Sequence, residues 1–272
     1  MTTTTTSQLT ILTFTPVWQR PAVFEICLKG IKRLQQYKPD VFRIHPFFIV
    51  SEAEAARMCQ KYGFDFLYYH NQPLGAKKNA GLDYALQMYG WDYMMEIGSD
   101  DIINNSYLDF VEPYLRAKTP QLCPHDVWFI DTITGKTAYW ETDKVLGAGR
   151  MISRATIQKV YNKKYKLWDA ELSRGMDTSS WRNILRHNIE NTIIKTDAIY
   201  ALDIKSSVNI NPLTNFQASE ISPRDLLANF PEGNDILKLI GLEVEEVRSR
   251  KPETSQKTKN PRTPYSKLQT LN

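Results

Sequence analysis

Short apolar runs alternate along the chain with stretches whose apolar positions recur every three or four residues. Leu9–Phe14 is rich in β-branched and apolar residues and reads as a buried strand closed by Pro16. Val23, Ile26, Cys27, Ile31 and Leu34 then trace one face of a helix between Pro21 and Tyr37. Phe47–Val50 predicts a second strand, and Ser51-Glu52-Ala53-Glu54 is an S-x-x-E capping box that opens a helix to about Tyr62. Phe64–Tyr69 predicts a third strand, Asn71–Gly75 a turn, and Leu82, Ala85, Leu86 and Tyr89 another helical face. Trp91–Ile97 predicts a fourth strand, with a helix from near Asn105 that bends or ends at Pro113. Strand and helix alternating at this spacing imply a parallel sheet with helices on both faces.

The second half has a different rhythm. Strands are expected at Val127–Asp131, Thr137–Glu141 and Ile193–Leu202, and helices at Arg154–Tyr161 and Thr178–Arg186, so the sheet becomes mixed there. Ser222-Pro223-Arg224-Asp225 supplies an N-cap, an N1 proline and an acidic N3 for a short helix. The pattern delimits a flexible start over residues 1–8, one folded domain over 9–246, and a stretch over 247–272 where apolar periodicity stops and a disordered tail is expected.

Charge is distributed unevenly. The net +4 comes from residues 247–272, where seven basic residues face Glu253 alone, and the rest of the chain is slightly acidic. A mean hydropathy of −0.42 with 42% hydrophobic residues describes a soluble globular chain. Cys27, Cys59 and Cys123 lie far apart with no C-x-x-C pair, Thr2–Thr6 lacks the basic start and apolar stretch of a signal peptide, and no apolar run approaches the roughly 20 residues of a membrane span. These features lead to the expectation of a cytoplasmic protein with no transmembrane segment.

In an open α/β sheet, ligands gather at the carboxyl ends of the strands. The fourth strand runs into Gly98-Ser99-Asp100-Asp101, where adjacent carboxylates behind small residues suit a hard divalent cation, although an aspartate there also turns a chain or caps a helix. Leu74-Gly75-Ala76-Lys77-Lys78-Asn79-Ala80-Gly81 places two lysines in the first turn of a helix, where an anion would sit well; a solvated lysine pair is the simpler reading.

Taken together, Phe14-Thr15-Pro16-Val17-Trp18-Gln19-Arg20, the spacing Asn71-x-x-x-Gly75-x-x-x-Asn79-x-Gly81, and Trp91-Asp92-Tyr93 leading to Ser99-Asp100-Asp101 resemble the nucleotide-sugar half of family 2-like glycosyltransferases with the GT-A fold, over roughly residues 9–205. The resemblance implies an α/β, Rossmann-like mixed but mainly parallel sheet, with 9–104 as the nucleotide-binding half and 105–246 as the acceptor half. It implies a nucleoside diphosphate sugar donor, with a UDP-sugar expected, and Mn²⁺ or Mg²⁺ as cofactor. Thr13, Thr15 and Glu52 would lie around the nucleoside, Lys78 and Asn79 near the base or phosphates, and Asp100 and Asp101 at the diphosphate and metal. The family's D-x-D-D run has Gly98 here at its first position, and no histidine follows His187.

Leu146–Arg154 resembles the glycine-containing segment beside the donor sugar, which assigns Gly149 and Arg150 to donor binding. In Trp168-Asp169-Ala170-Glu171-Leu172-Ser173-Arg174-Gly175-Met176-Asp177, the resemblance places the general base of an inverting enzyme, with Asp177 first, then Glu171 and Asp169. An N-cap aspartate is the structural alternative for Asp177. Trp168 and Trp181 are candidates for sugar stacking, though large aromatics on helices are more often core. Asp203-Ile204-Lys205-Ser206 reads as a site-facing loop without an assigned role. Two other readings stay open: a transferase acting on nucleic acid, with the basic tail contacting DNA or a membrane surface, and a nucleotide-sugar-binding protein without catalysis, which Gly98 favours.

Overall fold

A computed structural model describes residues 7–162, 164–195, 198–208 and 213–242. The expected tail at 247–272 lies outside the described residues. At the other end, Ser7 and Gln8 are already tied down: the Ser7 carbonyl accepts from Arg116, and Gln8 donates to the Pro39 carbonyl.

The predicted βα alternation forms in order: β1 (Leu9–Val17), α1 (Pro21–Gln36), β2 (Phe42–Val50), α2 (Ala53–Tyr62), β3 (Asp65–Tyr68), α3 (Leu74–Met88), β4 (Tyr93–Glu96), β5 (Asp101–Ile103) and α4 (Asn105–Arg116). There follow β6 (Gln121–Pro124), β7 (Asp126–Asp131), β8 (Thr137–Glu141), β9 (Met151–Ser153), α5 (Arg154–Val160), α6 (Met176–Leu185), β10 (Thr192–Ile194), β11 (Ala201–Lys205), β12 (Gln217–Ala218), α7 (Pro223–Leu227) and α8 (Gly233–Leu239).

The strands make two sheets. The larger runs β10-β6-β9-β4-β1-β2-β3, parallel through β4-β1-β2-β3 and antiparallel only where β9 inserts between β6 and β4. Its central strands are buried on both faces, as the near-continuous apolar runs of β1 and β2 require. A smaller sheet, β12-β8-β7-β11-β5, packs beside it. The stretch expected as one strand over Ile193–Leu202 is split between them, with β10 joining the large sheet and β11 the small one.

Two local expectations are corrected. Ser51 does not cap α2: Glu52 holds the N-cap position without a side-chain bond, and the Ser51 hydroxyl accepts from Lys77 instead. Pro113 does not end α4, which continues to Arg116. The Ser222 cap forms as expected, accepting from the Asp225 N–H. All three cysteines are buried and unpaired, and among the described residues no helix is long and apolar enough to cross a membrane.

Candidate active site

The carboxyl ends of β1 and β4 meet the small sheet across a cleft with two lobes that share Pro16, Leu74, Gly98, Asp100, Arg174, Asp203 and Lys205. The first lobe, about 280 Å³, has Glu96, Asp101 and Asp177 on one side, and Val127, Phe129, Trp140 and Phe216 among its apolar lining. The second, about 590 Å³, is lined by Arg20, Lys77, Trp18, Asn71 and Gln72 as well as the shared residues. Cations therefore outnumber carboxylates in the second lobe and the reverse holds in the first, so the cleft is electrically polarised along its length.

Where the lobes join, Asp100, Asp101 and Asp203 each bring a carboxylate oxygen to within 4.8 Å of the others. β5 and β11 are antiparallel with Asp101 opposite Asp203, and the Ile204 N–H bonds the Asp100 carbonyl at 2.8 Å. Strand register thus brings Asp101 and Asp203 together, and the turn before β5 adds Asp100. Two cations hold the rim: Arg20 Nη1 lies 2.5 Å from Asp100 Oδ2, and Lys205 Nζ 2.6 Å from Asp203 Oδ2. Asp203 Oδ1 is buried and has no hydrogen-bond partner. Burial, reinforced by Asp100 and Asp203, pushes the Asp101 carboxyl well above its ordinary range; burial and Asp100 push Asp203 up to about 6.

Gly98 belongs to this geometry. Its N–H donates to Asp101 Oδ2 at 2.5 Å, and a Cβ built on it would lie 2.8 Å from Asp100 Oδ1 and 2.9 Å from Asp101 Oδ2. No side chain fits there without moving the carboxylates.

A buried charge network underlies the first lobe. Lys78 Nζ bonds Glu96 Oε1 at 2.6 Å and lies 4.3 Å from the centre of the Trp168 ring. Arg150, wholly buried, approaches Glu96 Oε2 at 3.4 Å and donates to the Asp177 carbonyl and to Ser180 Oγ. Burial alone would raise the Glu96 pKa, but Lys78 and Arg150 more than offset it and hold the carboxylate below its usual range. Asp177, in the first turn of α6, keeps a raised pKa, chiefly through burial and then the Glu96 charge. The turn at Gly147 presses against it: a Cβ there would lie 2.6 Å from Asp177 Oδ1. A partly buried carboxylate with an elevated pKa, open to the cleft, is suited to taking a proton from a hydroxyl.

The other expected site residues are placed as follows. Thr13 and Thr15 are fully buried in β1, with hydroxyls that have no partner, and neither lines the cleft. Glu52 accepts from the Gln19 N–H at 2.7 Å and ties the β1–α1 loop to the end of β2, outside both lobes. Asn79 is committed to the backbone of Trp168, donating to its carbonyl at 2.7 Å and accepting from its N–H. Gly149, at φ +77°, turns the chain, and its carbonyl accepts from Tyr107. Gly147 and Ala148, just before it, are the backbone that faces the cleft. Glu171 and Asp169 line a separate depression with Lys166 and His187. Trp168 is core, stacked on Phe14 with centroids 5.6 Å apart, and Trp181 lines neither lobe.

The start of α3 is not an anion site. The Gly75 and Ala76 N–H groups donate to the carbonyls of Leu172 and Ala170. Nor are its lysines solvated, since both are buried. Lys77 Nζ donates to the Val17 carbonyl at 2.6 Å, Ser51 Oγ at 2.8 Å and Asn71 Oδ1 at 3.2 Å, one acceptor for each ammonium proton. The residues that sequence reasoning passed over are Arg20, Lys77, Arg174 and Asp203 with Lys205; of these, only the last pair had drawn attention as a loop facing the site.

No family model matches the chain, and no curated protein sequence matches it. Solved structures do. Residues 1–349 of S. aureus TarS in complex with UDP-GlcNAc superpose with a TM-score of 0.50 at 13% identity, covering 85% of this chain and 65% of that one. The mannosyltransferase PcManGT from Pyrobaculum calidifontis, in complex with GDP-Man and Mn²⁺, superposes with a TM-score of 0.52 at 12% identity, covering 77% and 60%. The chain thus spans less than two thirds of the length of either structure. What they share with it is architecture: the chain has the GT-A-like fold of glycosyltransferases.

Proposed function

We propose that the chain is an inverting glycosyltransferase that moves a sugar from a nucleoside diphosphate sugar to an acceptor hydroxyl with the help of a divalent cation. The observation that carries this reading is the polarised cleft, in which a cation-lined lobe and a carboxylate-lined lobe meet at Asp100 and Asp203, with Asp101 beside them, on the carboxyl side of the sheet. The TarS and PcManGT structures, which hold UDP-GlcNAc and GDP-Man, support the donor class.

In this reading Arg20, Lys77 and Arg174 form the lobe that receives the nucleoside diphosphate, with Trp18 as an aromatic face for the base. Hard carboxylate oxygens on a buried rim fit Mn²⁺ or Mg²⁺, and Asp100 and Asp101 would hold it. When bound, that ion neutralises charge on the departing diphosphate. The sugar then lies over Gly147 and Ala148, where the missing side chain at Gly147 leaves room beside Asp177. Asp177 takes the proton as the acceptor oxygen attacks the anomeric carbon; the bond to the diphosphate breaks and its electron pair leaves with the phosphate oxygen. Lys78 and Arg150 keep Glu96 ionised, and Glu96 in turn raises the proton affinity of Asp177. Trp140 and Phe216 form the wall against which the acceptor ring packs.

The test is a calorimetric panel of UDP, GDP and CDP and their sugars, with and without Mn²⁺, on the wild type and on Asp177→Asn. One nucleotide should bind, and the variant should keep that binding while losing turnover by about 10²–10⁴-fold. A folded protein that binds no nucleoside diphosphate would sink the proposal.

A further inference from the structure

The D-x-D-D run of the resembled family has lost its first carboxylate here, yet three carboxylates converge in the cleft. The third comes from β11, about a hundred residues downstream. We infer that Asp203 is a ligand of the divalent cation, replacing the carboxylate that Gly98 cannot supply.

Three features of the site support this. Asp101 and Asp203 face each other across antiparallel strands, an arrangement of like charges that destabilises a sheet unless a cation lies between or beside them. The two protein cations that pair with the cluster each take one oxygen, Arg20 on Asp100 Oδ2 and Lys205 on Asp203 Oδ2. Asp203 Oδ1 is left buried with no hydrogen-bond partner beside two further carboxylates, although Lys205 pairs with Oδ2.

The space at Gly98 explains the exchange. An aspartate there would put its Cβ 2.8 Å from Asp100 Oδ1 and 2.9 Å from Asp101 Oδ2 and displace those carboxylates, whereas Asp203 reaches the cluster from the opposite strand without doing so. Lys205 completes the arrangement. Its ammonium is held 4.8 Å from the Phe129 ring centre and 5.4 Å from that of Phe216, which steadies it on Oδ2 of Asp203 and leaves Oδ1 unpartnered.

The inference rests on the glycosyltransferase reading for the role of the ion, but binding of the ion is measurable without turnover. Mn²⁺ is titrated into the full chain by calorimetry, with free Mn²⁺ followed by its electron paramagnetic resonance signal, for the wild type, Asp203→Asn, Asp100→Asn and Lys205→Met. Asp203→Asn should weaken Mn²⁺ binding about tenfold or more while the melting temperature holds. Lys205→Met, which frees Oδ2, should tighten it. Wild-type Mn²⁺ affinity in Asp203→Asn, alongside a loss in Asp100→Asn, would overturn the assignment, as would an absence of Mn²⁺ binding by the wild type with or without UDP or GDP. If Mn²⁺ binding depends on Asp203 but no nucleoside diphosphate binds, the ligand assignment stands and the glycosyltransferase reading falls.

Discussion

Lys77 shows how one buried side chain can organise a binding lobe without contacting the reacting atoms. Its ammonium joins the end of β1, the end of β2 and the loop after β3 through three acceptors, and the first and last of these segments, through Val17 and Asn71, border the cationic lobe. Burial, only partly countered by Glu52, lowers its pKa to about 8. Since the folded value lies below the unfolded one near 10.5, the folded chain sheds this proton first, and the residue's contribution to stability rises as pH climbs through that window. The clamp behaves in the opposite sense, because a neutral amine has one donor too few. Nucleoside diphosphate affinity should therefore fall above about pH 8 without a matching drop in melting temperature, while Lys77→Met binds more weakly and shows no such step. Isothermal titrations from pH 7 to 9.5 would test this, and a flat wild-type profile would count against it. The same lysine marks a limit of sequence reading: Lys77 and Lys78 look like a solvated pair on a helix, and only the packing of α3 under β1 and β2 buries both.

At the scale of elements, α3 and the segment before α6 act as one unit. Gly75 meets the backbone of that segment so closely that a Cβ would lie 2.1 Å from the Asp169 carbonyl oxygen, and the Gly75 N–H bonds the Leu172 carbonyl at 2.8 Å. Asn79 clamps Trp168 a turn later. These contacts fix the chain that leads through Arg174 to Asp177. Gly75→Ala should cost about 2–3 kcal/mol and lower the melting temperature by several degrees, with a loss of turnover, whereas Gly90→Ala, which meets nothing within 4 Å, serves as the neutral control. Equal melting temperatures for the two variants would contradict the docking. The glycine and asparagine spacing was legible in the sequence as a pattern, and so were the four βα units, because both are written in local periodicity. Their purpose was not: Asn79 reads as a ligand until Trp168, 89 residues away in sequence, is seen to occupy both ends of its amide. Ser51 reads as a cap for the same reason, its hydroxyl being claimed by a distant lysine.

The whole molecule sets what no segment could. The alternation implied one mixed sheet, but β5, β7, β8, β11 and β12 form a second sheet, in which the pairing of β5 with β11 joins residues about a hundred positions apart. It is this sheet that supplies Asp203 and Lys205 to the junction of the lobes, and its cleft-facing positions, Val127, Phe129 and Trp140, together with Phe216, that form the apolar wall. Alternation along β7 and β8 sends Trp128 and Tyr139 to the other face, so Trp140 is directed to the cleft by strand geometry. Trp140 is 42% exposed and tilts against Phe216 at 5.9 Å, leaving ring surface for a ligand to cover. In the proposed reaction that ligand is the acceptor, because the nucleotide occupies the cationic lobe. Trp140→Ala should then raise the acceptor KM about tenfold, the equivalent of roughly 1.4 kcal/mol of lost ring packing, and leave donor affinity as it is. Donor affinity measured by calorimetry and KM measured with saturating donor separate the two lobes. Equal losses in both would mean that the wall supports the cleft as a whole, and the division into donor and acceptor sides would have to be abandoned.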